Sequence, residues 1–96
     1  MVVRGIGPSL SQFGVPNALP DPTLELHDGS GSVLVSNDNW QDDPISAAQL
    51  TALGLAPQNP VESGIYMSLP PGAFTAILSG KDGGTGVGLV EVYNVR

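Results

Sequence analysis

Five oxygen-bearing side chains fall close together in the first half of the chain: Asp28, then Asn37 and Asp38, then Asp42 and Asp43. Carboxylate and amide oxygens are what a hard cation takes, and Ca²⁺ gathers about six to eight of them in flexible geometry. Strands that stop at this cluster would carry several such oxygens to one end of a small domain. A Ca²⁺ site is therefore one expectation. The same residues have a second reading, in which Asp28 starts a turn, Asn37 and Asp38 make Asx turns, and Asp43 caps a helix. Their spacing matches neither an EF-hand loop nor a nonapeptide calcium repeat.

A second constellation is aromatic. Trp40, Tyr66 and Tyr93 could form a sugar-binding platform, because amphipathic rings stack on the apolar faces of sugars and tolerate a wet interface. Tyr66 and Tyr93 fall at outward positions of their strands, while Trp40 sits at the start of a loop, where it could equally plug the core. Catalysis is not expected. The chain has no Cys, and a Ser-His-Asp arrangement would rest on the lone His27, without a nucleophile elbow. The alternation around His27 points it to solvent. Nothing places two carboxylates across a cleft for glycoside hydrolysis. Gly83-Gly84-Thr85-Gly86-Val87-Gly88 lacks the Lys and the following helix of a phosphate loop, and reads as a hairpin connection.

Three basic residues stand against nine acidic ones, a net charge of -6. Arg4, Lys81 and Arg96 are scattered, so nucleic acid and anionic membrane surfaces are not expected partners. No run approaches the ~20 apolar residues of a membrane helix, so membrane insertion is not expected. Absence of Cys excludes a disulfide framework and a thiolate metal site. Thirteen Gly and nine Pro with 41% hydrophobic residues fit a compact, turn-rich all-β domain rather than a disordered chain.

The elements that must position these residues follow from period and punctuation. Val2 to Ile6 reads as a strand ended by Gly7-Pro8. Ser9 to Pro22 is a long loop, with Leu10, Phe13, Val15 and Leu19 folding back as a lid and room for one hidden strand. Leu24 and Leu26 alternate with Glu25 and His27, and Val33 and Val35 with Leu34 and Ser36, giving a hairpin over 23–28 and 32–37. Asp43-Pro44 opens a helix that Gly54 stops, with Ile45, Ala48, Ala52 and Leu53 at helical spacing. Strands then run over 65–69, 73–79 and 87–95. Leu24, Leu26, Val33, Val35, Ile65, Met67, Leu69, Val90 and Val92 should face in, with Glu25, His27, Tyr66, Glu91 and Tyr93 outward. The whole describes one module over residues 1–96. It is an antiparallel β-sandwich, jelly-roll-like, with one short helix in a loop.

The order Pro-Thr-Leu-Glu-Leu-His-Asp-Gly-Ser-Gly-Ser-Val-Leu-Val-Ser-Asn-Asp-Asn-Trp at 22–40, Ser-Leu-Pro-Pro-Gly-Ala-Phe-Thr-Ala-Ile-Leu-Ser-Gly at 68–80 and Gly-Val-Gly-Leu-Val-Glu-Val-Tyr at 86–93 resembles bacterial pre-peptidase C-terminal (PPC-like) domains. With Arg-Gly-Ile-Gly-Pro-Ser-Leu at 4–10, it is similar also to repeat modules of large exported bacterial proteins. The resemblance implies a small sandwich or jelly roll beside secreted hydrolases, whose relatives bind collagen, polysaccharide or calcium. It implies an extracellular or cell-surface, non-catalytic accessory module for adhesion, substrate targeting or spacing. Its partners would be a polysaccharide or matrix polymer and neighbouring domains of a longer exported chain. A carbohydrate-binding module and a structural repeat of an array or fibre are the alternatives.

Overall fold

The computed structural model describes residues 1–94. Six strands and one helix follow one another: β1 (Val2–Ile6), β2 (Pro22–His27), β3 (Val33–Asn37), α1 (Pro44–Ala52), β4 (Ser63–Tyr66), β5 (Thr75–Gly80) and β6 (Leu89–Tyr93). They form two three-stranded antiparallel sheets, ordered β4-β1-β6 and β3-β2-β5. Val3 and Ile65 from the first sheet meet Leu24 and Leu26 from the second in one buried cluster, with Val35, Met67, Leu69 and Val90 packed around it. Alternation explains this core, since side chains at every second residue share a face. Sheet approach is close at Gly5, where a methyl would lie 2.9 Å from Leu78 Cδ1 and 3.0 Å from Leu24 Cγ.

Two expected core residues lie outside. Val33 is 52% exposed. The β2–β3 pairing shifts between Leu26 and His27, so Val35 pairs with Leu26 but Val33 pairs with His27. One extra residue in a ladder moves everything beyond it to the other face. Val92, 57% exposed, does share a row with Val3 and Ile65. Its strand is an edge of the sheet, with no further strand beside it among the described residues. Glu25 is exposed as expected, whereas His27, Tyr66, Glu91 and Tyr93 are half-buried. Val95, the expected end of the last strand, lies outside the described residues.

The helix forms as its caps dictate but presents another face. Ile45 is 79% exposed, and Ala48, Ala52 and Leu53 are also exposed. The buried residues are Ser46 and Leu50. Leu50 seats in the notch left by Gly64, where a methyl would approach Leu50 Cδ1 to 2.8 Å and Trp40 Cβ to 3.1 Å. Ser46 Oγ accepts the Tyr66 N–H at 3.0 Å, and Asn37 Oδ1 accepts the Gly64 N–H at 2.9 Å. Those two bonds occupy the outer edge of β4, an edge that would otherwise offer unpaired donors.

The first loop is more ordered than its prolines suggest. Pro8–Phe13 is a 3₁₀ turn. Leu19 is buried, Leu10 and Val15 are half-buried and Phe13 is exposed, so the lid is built mainly on Leu19. Leu19 N–H donates to Val87 O and Val87 N–H to Asn17 O, both at 2.8 Å. Ala18 and Val87 make a single parallel bridge rather than a seventh strand among the described residues. The Gly83 to Gly88 stretch is not the hairpin connection expected of it, because β5 and β6 belong to different sheets.

Candidate functional site

Each of the five oxygen-bearing residues has a partner within the fold. Asp28 Oδ1 accepts from Ser30 N–H at 2.9 Å, Ser30 Oγ at 2.7 Å and Ser32 N–H at 3.0 Å. The Ser30 hydroxyl first, and then the backbone amides, hold its carboxyl below the usual carboxylate range. Asn37 accepts from Gly64 and donates through Nδ2 to Asn39 O at 3.0 Å. Asp42 Oδ2 accepts the Asn39 N–H at 3.4 Å in a reciprocal capping box around a 3₁₀ turn, Trp40–Asp42. Asp43 Oδ1 accepts the N–H groups of Ile45 at 3.1 Å and Ser46 at 3.3 Å, which makes it the N-cap of α1. Asp38 Oδ2 takes Lys81 Nζ at 2.6 Å. Among the described residues, no three His, Cys, Asp or Glu side chains gather closely enough to hold one ion.

Asp38 belongs instead to a knot that periodicity does not reveal. The Lys81 N–H donates to Asp21 O at 2.9 Å while its ammonium reaches Asp38. This joins the start of β2, the end of β3 and the end of β5. Asp21 Oδ1 and Asp38 Oδ1 are buried without a partner among the described residues. Burial, and then the neighbouring Asp38 charge, push the Asp21 carboxyl above the usual carboxylate range, against the pull of Lys81.

The aromatic residues separate into different roles. Tyr66 and Tyr93 both pair with Val2, so they flank it in one cross-strand row on the face of the sheet away from the shared core. Arg4 stands over the Tyr93 ring, 5.4 Å from its centroid, and donates to Tyr93 Oη at 3.3 Å. It also donates through Nε to Glu91 Oε1 at 3.0 Å. Tyr66 instead lines an open groove of about 580 Å³ with Leu69, Pro70, Pro71, Phe74 and Asn94. Trp40 is half-buried beside Gly64 with its indole nitrogen buried. Phe74 and the two prolines are the groove residues that the sequence reading passed over.

The His27 ring is engaged by its own strand and turn. Its Nδ1 lies 3.0 Å from Gly31 O and its Nε2 3.0 Å from Glu25 Oε1. Glu62, another residue outside the sequence reading, is entirely buried and gathers backbone donors from two loops. A signal for it existed: Asn59 and Glu62 stand three apart, the spacing of a capping box, and Asn59 N–H does donate to Glu62 Oε1 at 3.1 Å.

Two antiparallel three-stranded sheets with one short helix, carrying an open groove beside Tyr66, define the class of this protein at the level of architecture. Comparison with protein-family models, with curated proteins and with solved structures returned no match.

Proposed function

We propose that this chain is a jelly-roll-like β-sandwich of the PPC-like kind, a non-catalytic accessory module of a secreted or surface protein. In this reading it holds a polysaccharide or extracellular-matrix polymer and so serves adhesion or substrate targeting. The observation that carries the reading is the groove beside Tyr66. Among the described residues no Asp, Glu, Lys, Arg or His side chain lines it, in a chain of net charge -6. It offers Tyr66, Phe74 and two proline faces together with the Asn94 amide, with Met1, whose amino group donates to Met67 O, also at its wall. Apolar rings with a few polar groups suit sugar rings, which are apolar on their faces and polar at their edges. The engagement of Asp28, Asp42, Asp43 and Glu62 with backbone donors supports the non-catalytic part. Co-sedimentation with cellulose, chitin and collagen, and affinity electrophoresis in soluble glucan and xylan, test it. Retention by at least one polymer, lost in Tyr66→Ala at an unchanged fold, is the expected result. Retention by none overturns the proposal.

A spacing role, as one repeat of an extracellular array, is favoured by a different observation. Val87, Leu89 and Val92 are each exposed on or beside β6, Leu89 and Val92 on its two opposite faces, at the edge opposite the guarded β4. A tandem pair of copies that sediments as a rigid rod, stiffer than two domains on a flexible tether, would support this second reading.

A further inference from the structure

His27 sits at the bulge where β2 leaves its ladder, with its side chain only 15% exposed. Both ring nitrogens face oxygen acceptors: Nδ1 faces Gly31 O and Nε2 faces Glu25 Oε1, each at 3.0 Å. A carbonyl has no proton to give, and an ionised carboxylate has none either. A neutral imidazole has one N–H, so either tautomer leaves a nitrogen lone pair pressed against an oxygen. The imidazolium, with two N–H donors, satisfies both. The geometry points to His27 as a proton-operated clamp on the β2–β3 turn, closed while the ring carries both protons and released at the Gly31 carbonyl when one is lost.

The surroundings favour the charged form. Glu25 on β2 and Asp28 in the turn are the charged groups facing the ring, and Asp28 stays ionised through its own serine and amide bonds. The cross-strand neighbours, Val33 on β3 and Thr75 on β5, bring no charge. The Gly31 carbonyl first, and then Glu25, raise the ring above the ordinary histidine range. A group whose folded value is raised contributes fully below its ordinary value and is lost as pH rises through the raised one. The clamp therefore opens towards alkaline pH. The turn it releases lies beside Ala73 and bounds an open cavity of about 300 Å³ lined by His27, Asp28, Gly31, Thr75 and Ile77. This inference is independent of the polymer-binding reading.

The test is an NMR titration of the full chain, following the His27 ring and the Gly31 and Ser32 amides on one sample. The ring midpoint is expected above that of a histidine peptide, with both amides shifting at the same midpoint. Glu25→Gln, at an exposed position, should lower the ring and turn midpoints together. His27→Gln should leave the turn amides without that transition. A ring midpoint at or below the peptide value overturns the clamp, as do turn amides that ignore the ring's titration.

Discussion

Glu62 grips Ser9 at two points: Oε1 accepts the hydroxyl at 2.7 Å and Oε2 accepts the backbone N–H at 3.0 Å. Oε2 also takes the Gly7 N–H at 2.9 Å, and Oε1 the Asn59 N–H at 3.1 Å. One fully buried carboxylate thus ties the end of β1 and the first 3₁₀ turn to the loop that leads into β4. A carboxylate can be buried here because three backbone N–H groups, fixed by the chain's own turns, and the Ser9 hydroxyl all donate to it.

Removing that carboxylate strands its donors in a dry site. Each buried donor left without a partner costs about 1–3 kcal/mol. Glu62→Ala should therefore lose about 3 kcal/mol or more, and Glu62→Gln should also destabilise, because its amide NH₂ faces N–H groups. Urea unfolding with unchanged m-value reads the loss directly. A change within about 0.5 kcal/mol, the range of an ordinary surface substitution, would show that the Gly7–Ser9 turn holds without this anchor.

Asp21 supplies a prediction of opposite sign. Burial first, and then Asp38, raise its carboxyl above the usual range, so the folded chain binds that proton more tightly than the unfolded chain does. Stability from this group is present at acid pH and falls as pH rises from the ordinary carboxylate value through the raised one. Asp21→Asn should melt higher than the parent at neutral pH and match it near about pH 3, where both states are mostly protonated. A lower melting temperature at neutral pH would mean that attraction to Lys81 outweighs burial and Asp38.

Local chemistry was readable in the sequence, and tertiary demand was not. Leu24, Leu26 and Ile65 are buried because strict alternation leaves them no other face. The Asp43-Pro44 start and the paired β2–β3 strands likewise follow from neighbours in sequence. Val33 failed through a bulge, which slips the period without leaving a Gly or Pro to mark it. The helix face differs because docking sets it: Gly64 offers a notch that Leu50 fills, and the Ser46 hydroxyl accepts the Tyr66 N–H. At the groove, Tyr66 was legible from its outward phase, whereas Phe74 reaches it through a turn whose path no pattern encodes.

The helix start gives a local check. Asp43 Oδ1 satisfies two of the amides that a helix leaves unpaired at its N-terminus. Asp43→Ala should cost about 0.5–2 kcal/mol, and Asp43→Asn or Asp43→Ser much less. Thermal melts of the three variants decide it, and an alanine variant as stable as the parent would show that docking of Leu50, rather than the cap, sets the start of α1.

Calcium tests whether the carboxylates at the strand ends do more than cap and turn. A cation binding the native state alone would stabilise it by about 2.7 kcal/mol at a hundredfold excess over its dissociation constant. In a domain of this length that raises the melting temperature by roughly ten degrees or more. To collect such a ligand set, Asp28 would have to release the Ser30 and Ser32 amides, Asp43 the helix amides, and Asp38 the Lys81 ammonium. Each release gives back part of what the ion would supply. Melting curves in excess EGTA and in millimolar CaCl₂ are therefore expected to coincide, with MgCl₂ at matched ionic strength separating specific binding from screening. A rise with Ca²⁺ that Mg²⁺ does not reproduce and Asp38→Asn abolishes would show instead that the ion displaces Lys81 and reorganises this end of the fold.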